Sequence, residues 1–229
     1  MGPLSVVTGA NRGIGFSLCA KLKSKGYDVV ASCRKPSAEL QALGVQIVEG
    51  VDVGRDGGCA PLTATLRGRQ VDLLVCNAGV LMEDSITDLD LNNIREQYTQ
   101  IHVNSLGPLR TYLAVRESLG PGAKVAIITS RMGSIADNGS GGDYGYRMSK
   151  AAVNMLGMNL AVDLKSAGVA VGILHPGFVA TDMTKKYHGM DGVIDPEQSA
   201  ADLVDIIEHR LSLETSGTFW HRNGSVLPW

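Results

Sequence analysis

Leu4-Ser5-Val6-Val7, running straight into Thr8-Gly9-Ala10-Asn11-Arg12-Gly13-Ile14-Gly15, is the stretch that decides the fold. The apolar run reads as a buried strand, and the glycines after it let the backbone turn sharply into a helix. Such a turn brings amide N–H groups and a helix N-terminus to one point, where they hold a pyrophosphate. Its place at the head of the first strand–helix unit makes dinucleotide binding the expected use, ahead of a merely structural turn. Working outward, further short apolar runs occur at 29–31, 45–48, 71–75, 125–128 and 169–174. They lack polar alternation, as parallel strands buried on both faces do. Helical stretches are expected near 14–25, 56–68, 92–118, 147–166 and 197–211. Strict alternation of strand and helix implies right-handed crossovers and a doubly wound parallel sheet of about seven strands in a single α/β domain, a Rossmann fold. The stretch from Thr181 to Pro196 breaks this rhythm with glycine and methionine and is the expected mobile lid.

The chain has 229 residues, enough for one layered domain with a large core, and a formal charge of −2 without long blocks of one sign. Neither nucleic acid nor an anionic membrane is an expected partner. No apolar run approaches the ~20 residues of a membrane span and the N-terminus lacks a leader pattern, so a cytoplasmic location is expected. Gly2 carries no myristoylation signal, because position 6 is Val6. Cys19, Cys33, Cys59 and Cys76 are widely spaced with no C-x-x-C, which reads as reduced structural thiols and no metal site.

The spacing T-G-x-x-x-G-x-G over Thr8–Gly15 resembles the short-chain dehydrogenase/reductase family, and the resemblance runs over essentially the whole length. It implies a cofactor half of about 1–120 and a catalytic and substrate half of about 121–229. Gly9, Asn11, Arg12, Gly13, Ile14 and Gly15 would form the phosphate turn. Asp52-Val53 matches the adenine position, Asn77-Ala78-Gly79 the N-A-G motif that lines the cleft, and Pro176-Gly177 with Val179 and Thr181 the segment that holds the nicotinamide carboxamide. Charge argues which dinucleotide binds. A carboxylate at the end of the second strand would hold the ribose 2′-hydroxyl of NAD, whereas this chain has Ser32-Cys33-Arg34-Lys35. Arg34 and Arg12 read as a clamp on a 2′-phosphate, so NADPH/NADP is the expected cofactor.

Tyr146 and Lys150 stand four positions apart in Tyr146-Arg147-Met148-Ser149-Lys150. On a helix that spacing puts both on one face, roughly 6 Å apart along the axis. A phenol titrates near pH ~10, and a neighbouring ammonium favours the phenolate. The resemblance supplies partners and roles. Ser130, in Ser130-Arg131-Met132-Gly133, would polarise the substrate carbonyl while Tyr146 donates the proton. Lys150 would lower the tyrosine pKa and bind the nicotinamide ribose, and Asn104 would hold a water linking the lysine to solvent. Ser134 rivals Ser130, because the gap from Ser130 to Tyr146 is a little longer than in many relatives. Tyr144 reads as a substrate-side or packing residue, and His175, beside a turn, as structural.

The Phe219–Trp229 ending and the stretch Gly141–Arg147 look like the sniffer and C-factor branch, which includes carbonyl reductases. The implied reaction is NADPH-dependent reduction of an aldehyde or ketone by hydride transfer. A dinucleotide-binding redox sensor and an NAD-dependent alcohol dehydrogenase remain as alternatives. Met183, Tyr187 and Met190 are expected in the wall of a small, open, hydrophobic pocket. The sequence shows no obvious anchor for phosphate or carboxylate, although Lys185 or Lys186 could swing in. The apolar helices near 92–118 and 147–166 suggest a homodimer, and a monomer is also compatible.

Overall fold

The computed structural model describes residues 2–91 and 94–229, so the first two positions of the helix expected over 92–118 lie outside the described residues. Strand β1 (Leu4–Thr8) leads through the glycine turn into helix α1 (Gly13–Ser24), followed by β2 (Asp28–Ser32), the short helix α2 (Ala38–Ala42) and β3 (Gln46–Val48). Next come α3 (Ala60–Leu66), β4 (Val71–Cys76), α4 (Ile94–Gln100), a π-helical segment Ile101–Ser105, α5 (Leu106–Val115) and β5 (Leu119–Ile128). The chain then forms α6 (Tyr144–Leu164), β6 (Ala170–His175), β7 (Phe178–Val179), β8 (Val193–Ile194), α7 (Pro196–His209) and β9 (Phe219–His221). The main sheet has seven strands in the order β3-β2-β1-β4-β5-β6-β9, every neighbouring pair parallel.

Alternate side chains of each strand enter two separate cores. Val7, Ala31 and Leu174 pack against Leu18 and Leu22 of α1 and Leu203, Val204 and Ile207 of α7. On the other face Val6, Val30 and Leu74 meet Leu62 and Leu66 of α3, Val115 of α5 and Val153 and Leu160 of α6. Burial on both faces is why these strands carry no polar alternation. After β3 the chain returns to the far side of β1 to form β4, so the order reverses between those two strands. Ligands of open α/β sheets bind at the carboxyl edge of such a reversal.

Element boundaries depart from the sequence expectation in instructive places. The helix expected from 56 starts at Ala60, because Gly57-Gly58 precede it and Pro61 sets its first turn. The segment from Thr181 to Pro196, expected as an irregular lid, is folded. A 3₁₀ helix at Asp182–Tyr187 is closed by reciprocal Thr181 and Thr184 hydrogen bonds, and β8 pairs with β7. The seventh strand of the main sheet is Phe219–His221, which leads into an Asn223-Gly224 turn. The turn is closed by His221 N–H donating to the Ser225 carbonyl at 2.8 Å.

Helix α6 crosses β6 so closely that a Cβ on Gly157 would lie 2.6 Å from Cγ1 of Ile173. Ile173 is fully buried and branched at Cβ, so it cannot swing aside. Gly157→Ala should therefore lower unfolding stability by about 1–3 kcal/mol, despite alanine's better helix propensity. Urea unfolding of the two proteins reads this, and equal stability would show that the crossing relaxes freely.

Candidate active site

The turn after β1 is shaped by contacts with the end of β4. Thr8 Oγ1 accepts hydrogen bonds from the N–H groups of Asn77 (3.1 Å) and Ala78 (3.2 Å), and Asn77 Nδ2 donates to the carbonyls of Thr8 (3.0 Å) and Gly9 (3.3 Å). Side chains at two glycines would break this arrangement. A Cβ on Gly9 would stand 2.8 Å from Ala78 Cα, and one on Gly15 would stand 2.2 Å from the Gly9 carbonyl oxygen. Gly13 opens α1 at φ +54°, a conformation that costs other residues about 1 kcal/mol or more.

From this turn a cleft of about 1510 Å³ runs along the carboxyl edge of the sheet. It is lined by all the expected cofactor residues of the turn, by Arg34, Asp52 and Val53, by Asn77, Ala78 and Gly79, and by Pro176, Gly177, Val179 and Thr181. Ser130, Tyr146 and Lys150 line its other end. Arg34 and the adjoining Lys35 are exposed beyond β2. Arg12 is engaged with Asp182 at 3.0 Å in a well-exposed ion pair, a contact worth little in water. Asp52 pairs with Arg55.

Ser130 caps the 3₁₀ turn Arg131–Gly133, its Oγ accepting from Met132 N–H at 3.2 Å. That turn lies directly on α6: a Cβ on Gly133 would come within 2.6 Å of the Lys150 carbonyl carbon. Ser134 does not line the cleft, and its hydroxyl accepts from Asp137 N–H at 3.0 Å. Lys150 Nζ lies 5.5 Å from the centre of the Tyr146 ring and donates to the Ile128 carbonyl at 3.2 Å. Burial pushes the Tyr146 phenol up to about 12, against a downward pull from the neighbouring Ser130 hydroxyl. Burial also moves Lys150 down to about 8.

Asn104 sits in the π-helical segment and is off the cleft. Its Oδ1 accepts from Val80 N–H and its Nδ2 donates to the Val80 carbonyl, both at 2.8 Å, with a further bond to Ser149 Oγ at 3.0 Å. The side-chain amide thus braces the loop after β4 against α6. His175 is buried in the cleft wall with Nδ1 unpartnered, and burial lowers it to about 3, so it is neutral. The four cysteines are free and buried, and desolvation raises each thiol, Cys19 to about 12. Among the described residues no cluster of three or more His, Cys, Asp or Glu is placed to hold a metal, and no helix is long and apolar enough to cross a membrane.

Met183 and Tyr187 line the cleft, whereas Met190 is exposed and does not. Lys186 is held by Glu83, which also accepts from the Tyr187 hydroxyl at 3.2 Å, so the segment is latched to the loop after β4. Sequence reading missed Glu83, Asp143, Arg147, His221 and Arg222 in the cleft wall. The last two arrive through β9, whereas Asp143 and Arg147 flank Tyr146 in the sequence and their proximity to it was the available signal.

A family model described as short chain dehydrogenase matches residues 4–191. The chain belongs to the short-chain dehydrogenase family. It is 47% identical over 226 residues to 1-hydroxy-2-glutathionyl-2-methyl-3-butene dehydrogenase of Rhodococcus sp. strain AD45, covering 98% of both chains. It is 40% identical over 162 residues to the C-signal protein of Myxococcus xanthus, covering 69% of this chain and 93% of that one. Among solved structures it resembles the Drosophila melanogaster carbonyl reductase Sniffer, with TM-score 0.87, 26% identity and complete coverage of both chains. An NADPH-bound carbonyl reductase from chicken fatty liver gives TM-score 0.85 at 28% identity, covering 100% of this chain and 99% of that one.

Asn104→Asp keeps the volume of the brace but replaces the donor facing the Val80 carbonyl with oxygen. A buried donor lost in this way costs about 1–3 kcal/mol. Thermal unfolding of the variant should show that loss as a Tm several degrees below the parent, and an unchanged Tm would remove the brace from the account.

Proposed function

We propose that the protein is an NADPH-dependent reductase of aldehydes or ketones, with Ser130, Tyr146 and Lys150 as the catalytic residues. The single observation that carries this reading is their convergence at one end of a cleft whose other end is a glycine cradle. The likeness to reductases solved with NADPH or named for carbonyl reduction supports it. In this reading the turn at Gly9–Gly15 and the N-terminus of α1 hold the pyrophosphate. The buried, unpartnered Asn11 Oδ1 in the cleft wall suits such a ligand. Arg34, with Lys35 beside it and no carboxylate at the end of β2, takes the 2′-phosphate, and Arg12 joins by giving up its exposed pairing with Asp182. Bound here, the reduced cofactor would supply hydride to the substrate carbon.

The protein's own part is to manage the charge that develops on the carbonyl oxygen. Ser130 Oγ donates a hydrogen bond to it, and Tyr146, whose raised pKa keeps it protonated throughout the neutral range, transfers its phenolic proton. The Lys150 ammonium, close to the ring, stabilises the phenolate left behind. Asn104 keeps α6 in register with the loop after β4. The cofactor half is 1–120, and the chemical half is 121–229. Exposed Leu106 and Leu113 on α5 with Met155 and Val162 on α6 suit a homodimer through these helices, and four free buried thiols suit the cytoplasm.

A second reading runs the same residues in reverse, oxidising an alcohol with Tyr146 as phenolate base. The Rhodococcus relative favours it, since its name describes a dehydrogenase of a hydroxy thioether of glutathione. Following cofactor absorbance with aldehydes and ketones under NADPH, and with alcohols under NADP and NAD, separates the two. We expect carbonyl reduction with NADPH, lowered roughly 10²–10⁴-fold in Tyr146→Phe. No turnover of any carbonyl despite NADPH binding would overturn the reductase reading. Arg34→Ala should weaken NADPH binding about 10–100-fold, the loss of a charge-assisted contact, while leaving NADH binding intact. Equal losses for both cofactors would take the 2′-phosphate away from Arg34.

A further inference from the structure

The N-cap and first turn of α6 carry two opposite charges that no ion pair holds. Most other charged side chains in the cleft wall are paired: Glu83 with Lys186, Arg131 with Asp137, Arg222 with Asp202, Arg12 with Asp182, and Asp52 with Arg55. Lys150 is assigned to the reaction, and Arg34 and Lys35 lie at the adenosine end. Asp143 and Arg147 remain. Asp143 precedes α6 as its N-cap, yet its carboxylate makes no capping bond. Asp84 caps the helix instead, accepting from Tyr144 N–H at 2.7 Å and Gly145 N–H at 3.5 Å. The Asp143 carboxylate takes a hydrogen bond from the Asp84 backbone but makes no ion pair among the described residues. Its backbone is held left-handed at φ +48°, the one positive value for a non-glycine residue among those described.

Arg147, four residues on, stands where an i,i+4 ion pair with Asp143 would ordinarily form. It turns away. Its Nε donates to the Gly141 and Gly142 carbonyls at 3.2 and 3.1 Å, and Nη2 donates to Ser140 Oγ at 2.7 Å. The guanidinium is fixed against neutral acceptors and makes no ion pair among the described residues, although its charge acts on Asp143 without contact. Burial first, and then the Glu83 and Asp84 charges, raise the Asp143 pKa, against a lowering by the Asp84 backbone hydrogen bond and the Arg147 charge.

We propose that Asp143 and Arg147 form a subsite for the zwitterionic head of an amino acid, the ammonium on Asp143 and the carboxylate on Arg147. The substrate class is then a ketone, aldehyde or corresponding alcohol carried on a thioether or similar arm of an amino acid or short peptide. This rests on the oxidoreductase reading for its reactive end, since Tyr146 marks where the carbonyl sits. Asp143 and Tyr146 are three residues apart, about one helical turn, or ~5 Å. A spacer of four bonds between the carbonyl carbon and the amino-acid Cα spans about that length.

The probe is S-(2-oxopropyl)cysteine, compared with its N-acetyl derivative, its methyl ester and the uncharged 1-(ethylthio)propan-2-one. The parent protein should favour the zwitterion in kcat/KM by about tenfold or more over each singly blocked form, through KM, since one lost ion pair at ~1.4 kcal/mol is a factor of ten. Asp143→Asn, whose side chain accepts the left-handed backbone, should abolish discrimination between the free and acetylated amine. Arg147→Gln should abolish discrimination between free acid and ester. Equal or better use of the uncharged thioether by the parent protein overturns the subsite, as does an unchanged preference in both variants. Calorimetric binding of S-(2-oxopropyl)cysteine in the presence of NADPH gives a readout independent of turnover. Binding without turnover of any carbonyl sinks the reductase reading and keeps the subsite, whereas turnover of simple aldehydes without this binding does the reverse.

Discussion

The close approach of two chain segments, Thr8–Gly9 at the end of β1 and Asn77–Ala78 at the end of β4, is the constraint on which the rest of the molecule depends. These strands are neighbours in the sheet but distant in sequence, and the chain leaves them in opposite directions. That divergence opens the cleft. The gap is bridged by backbone and short polar groups: Thr8 Oγ1 takes two N–H groups and Asn77 Nδ2 takes two carbonyls. Ordinary side chains at Gly9 or Gly15 would collide with backbone, so the same glycines that form the cradle also allow the strands to sit side by side. Fold and site therefore share one set of residues, and a change that spoils one reaches the other.

Burial then decides the electrostatics at the far end of the cleft. Tyr146 and Lys150 are driven in opposite directions on the pKa scale but toward the same condition, neutrality. In the proposed reduction this is useful, because a phenol held above its ordinary value stays protonated until the substrate oxygen demands the proton. The same low-polarity setting strengthens the attraction between an ammonium and a newly formed phenolate once both charges exist. Each shift is set by burial rather than by the other member of the pair.

Much of this was legible in the sequence because it is local. A glycine turn after an apolar run, a strand–helix rhythm and a Tyr/Lys spacing of one helical turn are all read within a few residues. What escaped reading is long-range. Nothing near Asp84 announces that its carboxylate will cap a helix 60 residues later, nor that Lys186 will be latched to Glu83 across 103. Phe219–His221 joins the sheet only because β6 offers an open edge, and His221 and Arg222 enter the cleft with it. The Asn104 amide faces Val80 and Ser149, a register set by the π-helical segment and invisible to a helical-wheel argument.

The capping by Asp84 also explains why the pocket end of α6 can carry charge at all. A helix start leaves N–H groups in need of acceptors, and the residue just before the first turn ordinarily supplies one. Had Asp143 filled that role, its carboxylate would be neutralised by the helix and directed inward at the backbone. Because an acceptor arrives from another loop, Asp143 is relieved of it. Arg147 is similarly relieved of pairing by carbonyls of the Gly141–Gly142 turn. Both devices hold a charge in place without an ion pair, which is what the proposed recognition of a charged ligand requires and what stability alone does not. The helix that carries the Tyr146 hydroxyl thus presents the proposed proton donor and the two charged groups from adjoining turns, so in the proposed subsite the distance between the reacting atom and the charged head of a ligand is set by a rigid element rather than by a loop.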